Sequence, residues 1–312
     1  MFQILGILLT IASLLLIPAS NFFQNKPVGI LIMSLVAIFW FLFTHEKAID
    51  FLRKKVSNPF LYGLILWLFT LLIKFLYDAN LSGLFILESL IILLIPVLYI
   101  ALLRKKQGFH WADIFLLLYL FVVVKTKIVS FVLFKVTDAL YIKYDYILVI
   151  LFALWVYQVY RGFDIGYDFK LNSKMVKTTL LYSVIMILIN TIVSISIGYV
   201  TFAGLTANIQ TIIALAVIMF FFATVIEEIF FRALFFNYFQ QFFNQSKYLL
   251  PLIISTLIFG LSHFAMGYKM IILATIAGFF YGITYIKTKN VYCSALIHTL
   301  TNLILQLFFI SH

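Results

Sequence analysis

Three charged side chains stand inside an apolar run. In VIEEIFFRALFF, residues 225–236, Glu227, Glu228 and Arg232 interrupt a stretch that would otherwise suit lipid. An ionised side chain at the centre of a bilayer costs roughly 2.5–3.5 kcal/mol on insertion scales, so charges there need partners or a wet cavity. Helix geometry sorts the three. Glu228 and Arg232 are four residues apart and share a face, where carboxylate and guanidinium can pair. Glu227 is turned about 100° from Glu228 and is left without that partner. One carboxylate thus reads as structural and the other as available. Taken alone, the cluster reads equally well as a buried polar knot that fixes helix register.

Two further polar groups follow downstream. FGLSHF places His263 in an apolar span with Phe259 one turn before it, and HTLTN places His298 and Asn302 four apart on one helix face. The remaining histidines, His45, His110 and His312, fall in loops or at the terminus. A single intramembrane histidine is commonly a helix–helix contact. Two of them, with an unpaired glutamate and an asparagine in the same C-terminal third, read as a site.

These residue types can hydrolyse an amide. Glu227, assisted by His263, would take a proton from a water that attacks a peptide carbonyl, because a carboxylate in an apolar pocket can serve as a base near neutral pH. His298 and Asn302 would donate hydrogen bonds to the resulting oxyanion. In a second version Glu227, His263 and His298 hold Zn²⁺ with a water in the fourth position. The first version, which needs no cofactor, is the expected one, although spacing alone does not separate the two. HExxH and GxSxG are both absent. Tyr144-Asp145 and Tyr167-Asp168 are similar to half-sites of a membrane aspartyl protease, but no GxGD partner follows, and both aspartates read as solvated loop residues.

The elements that must position these groups are membrane helices. The chain has 312 residues, 65% hydrophobic and 11% charged, with a mean hydropathy of +1.14. A soluble domain of this size would not stay dissolved with such a surface. Apolar segments long enough to cross a bilayer recur near 2–20, 28–44, 59–77, 83–103, 111–131, 146–160, 178–200, 211–235, 249–266, 270–286 and 291–310. The expectation is an all-α polytopic membrane protein with about eleven transmembrane spans and a catalytic helix bundle at its C-terminal end. A barrel would alternate in short segments instead. With a cytoplasmic N-terminus, 14 of the 22 lysines and arginines fall on the inner side and 7 on the outer, with Arg232 inside a helix. That bias accounts for the net charge of +11 without invoking nucleic acid. The first segment, which lacks a basic leader, reads as a retained span. Lysines crowd 125–145 on the outer side, where a tilted or interfacial helix is expected. Cys293 is the single cysteine, so there is neither an internal disulfide nor a cysteine-rich metal site.

The polar stretch RGFDIGYDFKLNSKMVK, residues 161–177, reads as the boundary between N-terminal accessory spans (1–177) and a catalytic core (178–312). Depth counted at 1.5 Å per residue places Glu227 and His298 in the cytoplasmic half but His263, in a span starting at 249, toward the outer face. The depths reconcile if the ninth helix starts inside the membrane or 237–248 dips into it.

EEIFFR, FGLSH and HTLTN resemble, in order, the EExxxR, FxxxH and HxxxN/D motifs of the CAAX protease and bacteriocin-processing (Abi) family, the type II CAAX prenyl endopeptidases. The segment AGFFYGITYIKTKNVYCSALIHTLTN is similar to the family's approach to its last histidine, and the resemblance covers roughly 210–310. It implies an intramembrane endopeptidase acting on a peptide or membrane-associated protein, with Glu227 as base and Glu228 and Arg232 in support. It further implies that His263 acts on the water and that His298 and Asn302 stabilise the oxyanion. The family is often labelled metalloprotease. The phenylalanine- and lysine-rich composition points to a low-GC bacterium, which argues against a prenylated CAAX substrate. Two rival readings are a non-catalytic scaffold or bacteriocin immunity protein on the same fold, and a proton-coupled transporter using Glu227 and His263 as a relay.

Overall fold

The computed structural model describes residues 42–78, 80–103, 109–126, 132–135, 141–168, 170–205, 207–243 and 247–311. It is helical apart from two small antiparallel sheets. Two compact units divide at Asp164/Ile165, inside the polar stretch that reads as the boundary.

In the first unit, helices α1 (Glu46–Lys55), α2 (Pro59–Asp78), α3 (Gly83–Leu103) and α4 (Asp113–Thr126) lead to strands β1 (Val132–Lys135) and β2 (Tyr141–Lys143) and to α5 (Tyr144–Leu154), which continues as a π-helix over Trp155–Tyr160. The core lies along α5 and its extension, where Trp155 stacks on Tyr62 with ring centroids 4.7 Å apart and donates Nε1–H to Val56 O at 2.9 Å. Arg161 forms a fully buried ion pair with Asp113. Two expectations are corrected here. The described part of 125–145 is not one interfacial helix: β1 and β2 pair antiparallel, Val132 opposite Lys143, in a sequence rich in β-branched and aromatic residues. Asp145 is not a solvated loop residue either, since it sits in the first turn of α5 and is buried.

The second unit carries the motifs. Helix α6 (Ser173–Ser196) is followed by β3 (Val200–Phe202) and then by one long rod. The rod runs through α7 (Ile209–Met219), a π segment (Phe220–Thr224), α8 (Val225–Glu228), a second π segment (Ile229–Phe236) and α9 (Asn237–Phe243). The short α10 (Leu249–Leu261) returns and ends in a 3₁₀ turn, Phe264–Met266. Helices α11 (Tyr268–Thr288) and α12 (Val291–Phe308) complete the bundle, and β4 (Phe309–Ser311) pairs antiparallel with β3. Asparagine starts three of these helices. Asn172, Asn208 and Asn290 each accept a backbone N–H three residues on, from Met175, Thr211 and Cys293 at 3.0, 2.9 and 3.1 Å.

The unit begins at Ile165, earlier than residue 178, because the loop before α6 is tied to the α11–α12 turn. Tyr285 Oη donates to Ile165 O at 2.9 Å, Val291 N to Gly166 O at 2.9 Å, and Asn290 Nδ2 to Asp168 O at 2.8 Å. Gly166 has φ +70°, and a Cβ there would lie 2.4 Å from Lys289 O, so only glycine fits the clamp.

Six described helices are long and apolar enough to cross a membrane: α2 over Pro59–Leu76, α3, α6, the rod over Thr211–Phe243, α11 and α12. Tyr144–Tyr160 and Leu249–Leu261 are shorter apolar helices. The chain is thus a multi-pass helical membrane protein. The expected eleven spans become six among the described residues. The span at 2–20 and nearly all of that at 28–44 lie outside them. Several other apolar segments are broken by turns or end short of the bilayer's width.

Helices α10 and α11 approach closely through glycine, as small residues allow in lipid. A Cβ on Gly260 would meet Thr275 Oγ1 at 1.9 Å and Ile271 O at 3.1 Å. Gly260→Val should therefore destabilise the unit by about 1–3 kcal/mol, read as an earlier unfolding midpoint in a detergent titration.

Candidate active site

The rod sets the first charges. Glu227 and Glu228 occupy a single α-turn between two π segments, and such local widening of the helix is frequent at functional sites. Their environments differ as the 100° rotation requires. The side chain of Glu228 is fully buried, whereas that of Glu227 is 27% exposed.

Glu228 is the electrostatic centre. Arg232 Nε stands 3.0 Å from its Oε2 on the same helix. Ser294 donates Oγ–H to Oε2 at 2.5 Å, and His298 Nδ1 lies 3.0 Å from Oε1. Both of the latter come from α12, so this carboxylate joins the rod to the last helix. The guanidinium of Arg232 is held by charge and by rings: no described group makes a well-directed hydrogen bond to its nitrogens, and its Cζ lies 5.0 Å from the Phe259 ring and 5.9 Å from that of Tyr281.

The same contacts orient His298. An ionised carboxylate only accepts, so Nδ1 carries the hydrogen donated to Glu228. Nε2 then faces Glu227 Oε2 at 3.8 Å, longer than a hydrogen bond. Tyr281 stacks on the imidazole at 4.4 Å and 20°, and Phe259 meets it edge-on at 5.6 Å. His298 can donate from Nε2 only with a second proton on the ring, and Glu228 is the counter-charge for that cation.

His263 lies just past the end of α10, at the mouth of the 3₁₀ turn. Its Nδ1 is 2.9 Å from Phe259 O, and because a carbonyl accepts, the hydrogen sits on Nδ1 and the lone pair on Nε2. Phe259 packs edge-on against this ring as well, at 4.9 Å, and so stands between the two histidines.

The depth conflict disappears for a geometric reason. The rod does not end at 235 but runs to Phe243, and α10 begins at Leu249. Glu227 lies 16 residues before Phe243 and His263 lies 14 after Leu249. At 1.5 Å per residue both are about 20–25 Å from the helix ends at Phe243 and Leu249.

Glu227, His263, His298 and Asn302 line one cavity of about 90 Å³, closed by Phe259, Tyr281, Leu273, Ala277 and Asn190 among others. Since about 10–15 Å³ holds one water, the space admits several. It is too small for a folded peptide segment. Every residue named from the motifs is therefore at the cavity or, for Glu228 and Arg232, one contact behind it. The reading of residue types missed Ser294, Tyr281 and Asn190. Ser294 had a signal, lying four residues before His298 on the same face, and so had Asn190, an amide inside a span.

The zinc alternative needs Glu227, His263 and His298 to share one ion. Among the described residues no group of three His, Cys, Asp or Glu side chains is disposed to hold a metal ion, and Glu227, His263 and His298 are all described. The three line one cavity without converging on one point.

Residues 208–304 match the model of a family described as Rce1-like, type II CAAX prenyl endopeptidase Rce1-like, the same family that the three motifs resemble. The matched stretch holds the rod's two glutamates, α10, α11 and most of α12, and thus every cavity residue named above except Asn190. No curated protein and no solved structure matches the chain.

Removing Arg232 would strand the Glu228 charge in a dry interior. Arg232→Ala should cost about 3–5 kcal/mol, measured by denaturant titration in detergent. The double variant Glu228→Gln/Arg232→Ala should recover part of that loss, because the stranded charge is gone.

Proposed function

We propose that this chain is an intramembrane endopeptidase that cleaves a peptide bond of a membrane-associated protein or peptide with a water activated by Glu227. One observation carries the reading: a partly exposed carboxylate, two imidazoles and an amide line one cavity between helices with room for water. In soluble surroundings such groups would be unremarkable, but inside spans each has a desolvation cost that function can justify.

Glu227 takes a proton from a cavity water, whose oxygen attacks the scissile carbonyl. Negative charge then develops on the carbonyl oxygen. Asn302 donates to it through Nδ2, and His298 through Nε2 when the ring carries both protons. The tetrahedral intermediate collapses as the C–N bond breaks, and Glu227 returns its proton to the leaving amine. His263, with Nδ1–H committed to Phe259 O, turns its Nε2 edge to the cavity waters around the nucleophile. Arg232 and Ser294 act through Glu228 and keep His298 in position.

The matching family is described by prenyl CAAX substrates, and a farnesylated CAAX peptide is accordingly one substrate class to try. The composition favours a second class, unprenylated membrane-anchored peptides. Intact protein in proteoliposomes should cleave an internally quenched reporter from one of the two. Glu227→Gln should reduce turnover roughly 100-fold or more, and Asn302→Ala roughly 100- to 1,000-fold, with insertion and unfolding midpoint unchanged. Full turnover by Glu227→Gln would remove Glu227 as the base and, with loss in Glu228→Gln, would reverse the division of roles, whereas no cleavage by wild type would favour the scaffold or transporter alternatives. Activity should survive stripping with a chelator, checked by elemental analysis of the treated protein, because the three side chains do not converge as zinc ligands.

A further inference from the structure

Helix α6 lies outside the matched stretch, yet it closes one wall of the cavity. Its polarity is inverted. The buried residues Thr179, Ser183, Met186, Asn190 and Ser194 follow helical spacing and all but one are polar, while Leu180, Leu181, Val184, Leu188 and Ile192 are exposed. The three hydroxyls spend their hydrogens within the helix: Thr179 donates to Met175 O at 2.9 Å, Ser183 to Thr179 O at 2.8 Å and Ser194 to Thr191 O at 2.9 Å. Met186 accepts from Thr301 Oγ1 at 3.3 Å and so pins α6 to α12 next to Asn302.

Asn190 differs from all of these. It is only 3% exposed, and its Oδ1 has no hydrogen-bond partner among the described residues. Its side chain borders the cavity shared by Glu227, His263, His298 and Asn302. Buried amide oxygens are rarely left unsatisfied in folded proteins, and a polar cavity with room for water is where such a group finds its partner.

We infer that Asn190 is a further catalytic residue, whose Oδ1 accepts a hydrogen bond from the attacking water. This rests on the hydrolytic reading above. A water has two hydrogens. Glu227 removes one, and Asn190 holds the other, which turns the oxygen lone pair toward the carbonyl carbon. The new C–O bond forms as the carbonyl π pair moves to oxygen. The hydrogen held by Asn190 stays on the product carboxyl group, and the proton on Glu227 leaves with the amine.

Two measurements test this. An experimental structure of the intact protein in lipid, at a resolution that shows waters, should place one water within about 3.2 Å of both Asn190 Oδ1 and the Glu227 carboxylate. A direct bond from the Asn190 amide to a protein group, with no such water, overturns the inference. With the quenched reporter, Asn190→Ala should lower kcat roughly tenfold or more while KM stays within about threefold. Asn190→Ser, which keeps an oxygen, should recover part of the loss. A merely structural role would instead lower the unfolding midpoint, and kcat within about twofold of wild type would also overturn the proposal. If wild type and Glu227→Gln are equally inactive, it is the peptidase reading that has failed, and the water position then decides by itself whether Asn190 holds water.

Discussion

A carboxylate with no access to water has to be compensated by the protein around it, and at Glu228 that compensation organises the C-terminal unit. Arg232 supplies the opposite charge from the next turn of the same helix, and Ser294 and His298 supply hydrogen bonds from α12. The rod and the last helix therefore cannot slide or rotate past each other without exposing a charge to lipid. The rings of Phe259 and Tyr281 cover the guanidinium and bring α10 and α11 into the same cluster. A buried ion pair contributes little net stability, but loss of either partner is expensive, which makes such a pair better at specifying an arrangement than at stabilising one.

That arrangement is what leaves Glu227 available. Adjacent residues on a helix face different directions, so fixing Glu228 toward Arg232 and α12 turns Glu227 toward the cavity. The two π segments that flank the pair adjust the rod locally without breaking it. The chemistry then depends on tautomers that neighbours impose. Phe259 O holds the hydrogen of His263 on Nδ1, and Glu228 does the same for His298. Both Nε2 atoms are thereby kept for other partners. With Nδ1–H given to Glu228, His298 donates from Nε2 only with a second proton on the ring, so the carboxylate behind it bears on what the imidazole can do in front.

The depth of the site is set by helix lengths rather than by motif spacing. The rod continues past the arginine to Phe243, and α10 is too short to cross a bilayer by itself. Together these bring residues from two neighbouring helices to one level. Close glycine packing between α10 and α11, where a Cβ on Gly278 would lie 2.7 Å from Phe259 Cδ1, keeps Phe259 between the two histidines.

The membrane character, the role of Arg232 as partner of Glu228, the helical face left to Glu227, and the grouping of His263 with His298 and Asn302 were all legible in the sequence. Each follows from local rules: the length of an apolar run, the 3.6-residue period, and the cost of a charge in lipid. The tertiary structure decided what local rules cannot reach. It decided that residues 132–135 and 141–143 pair as strands, that Asp145 is buried, that the loop at Ile165–Asp168 belongs with the α11–α12 turn, and that His298 bonds Glu228 through Nδ1. It also brought Asn190 to the cavity from a helix that carries none of the motifs. Period and polarity fix which side of a helix a residue occupies, but which neighbour that side meets depends on packing among distant segments, and no single stretch of sequence encodes it.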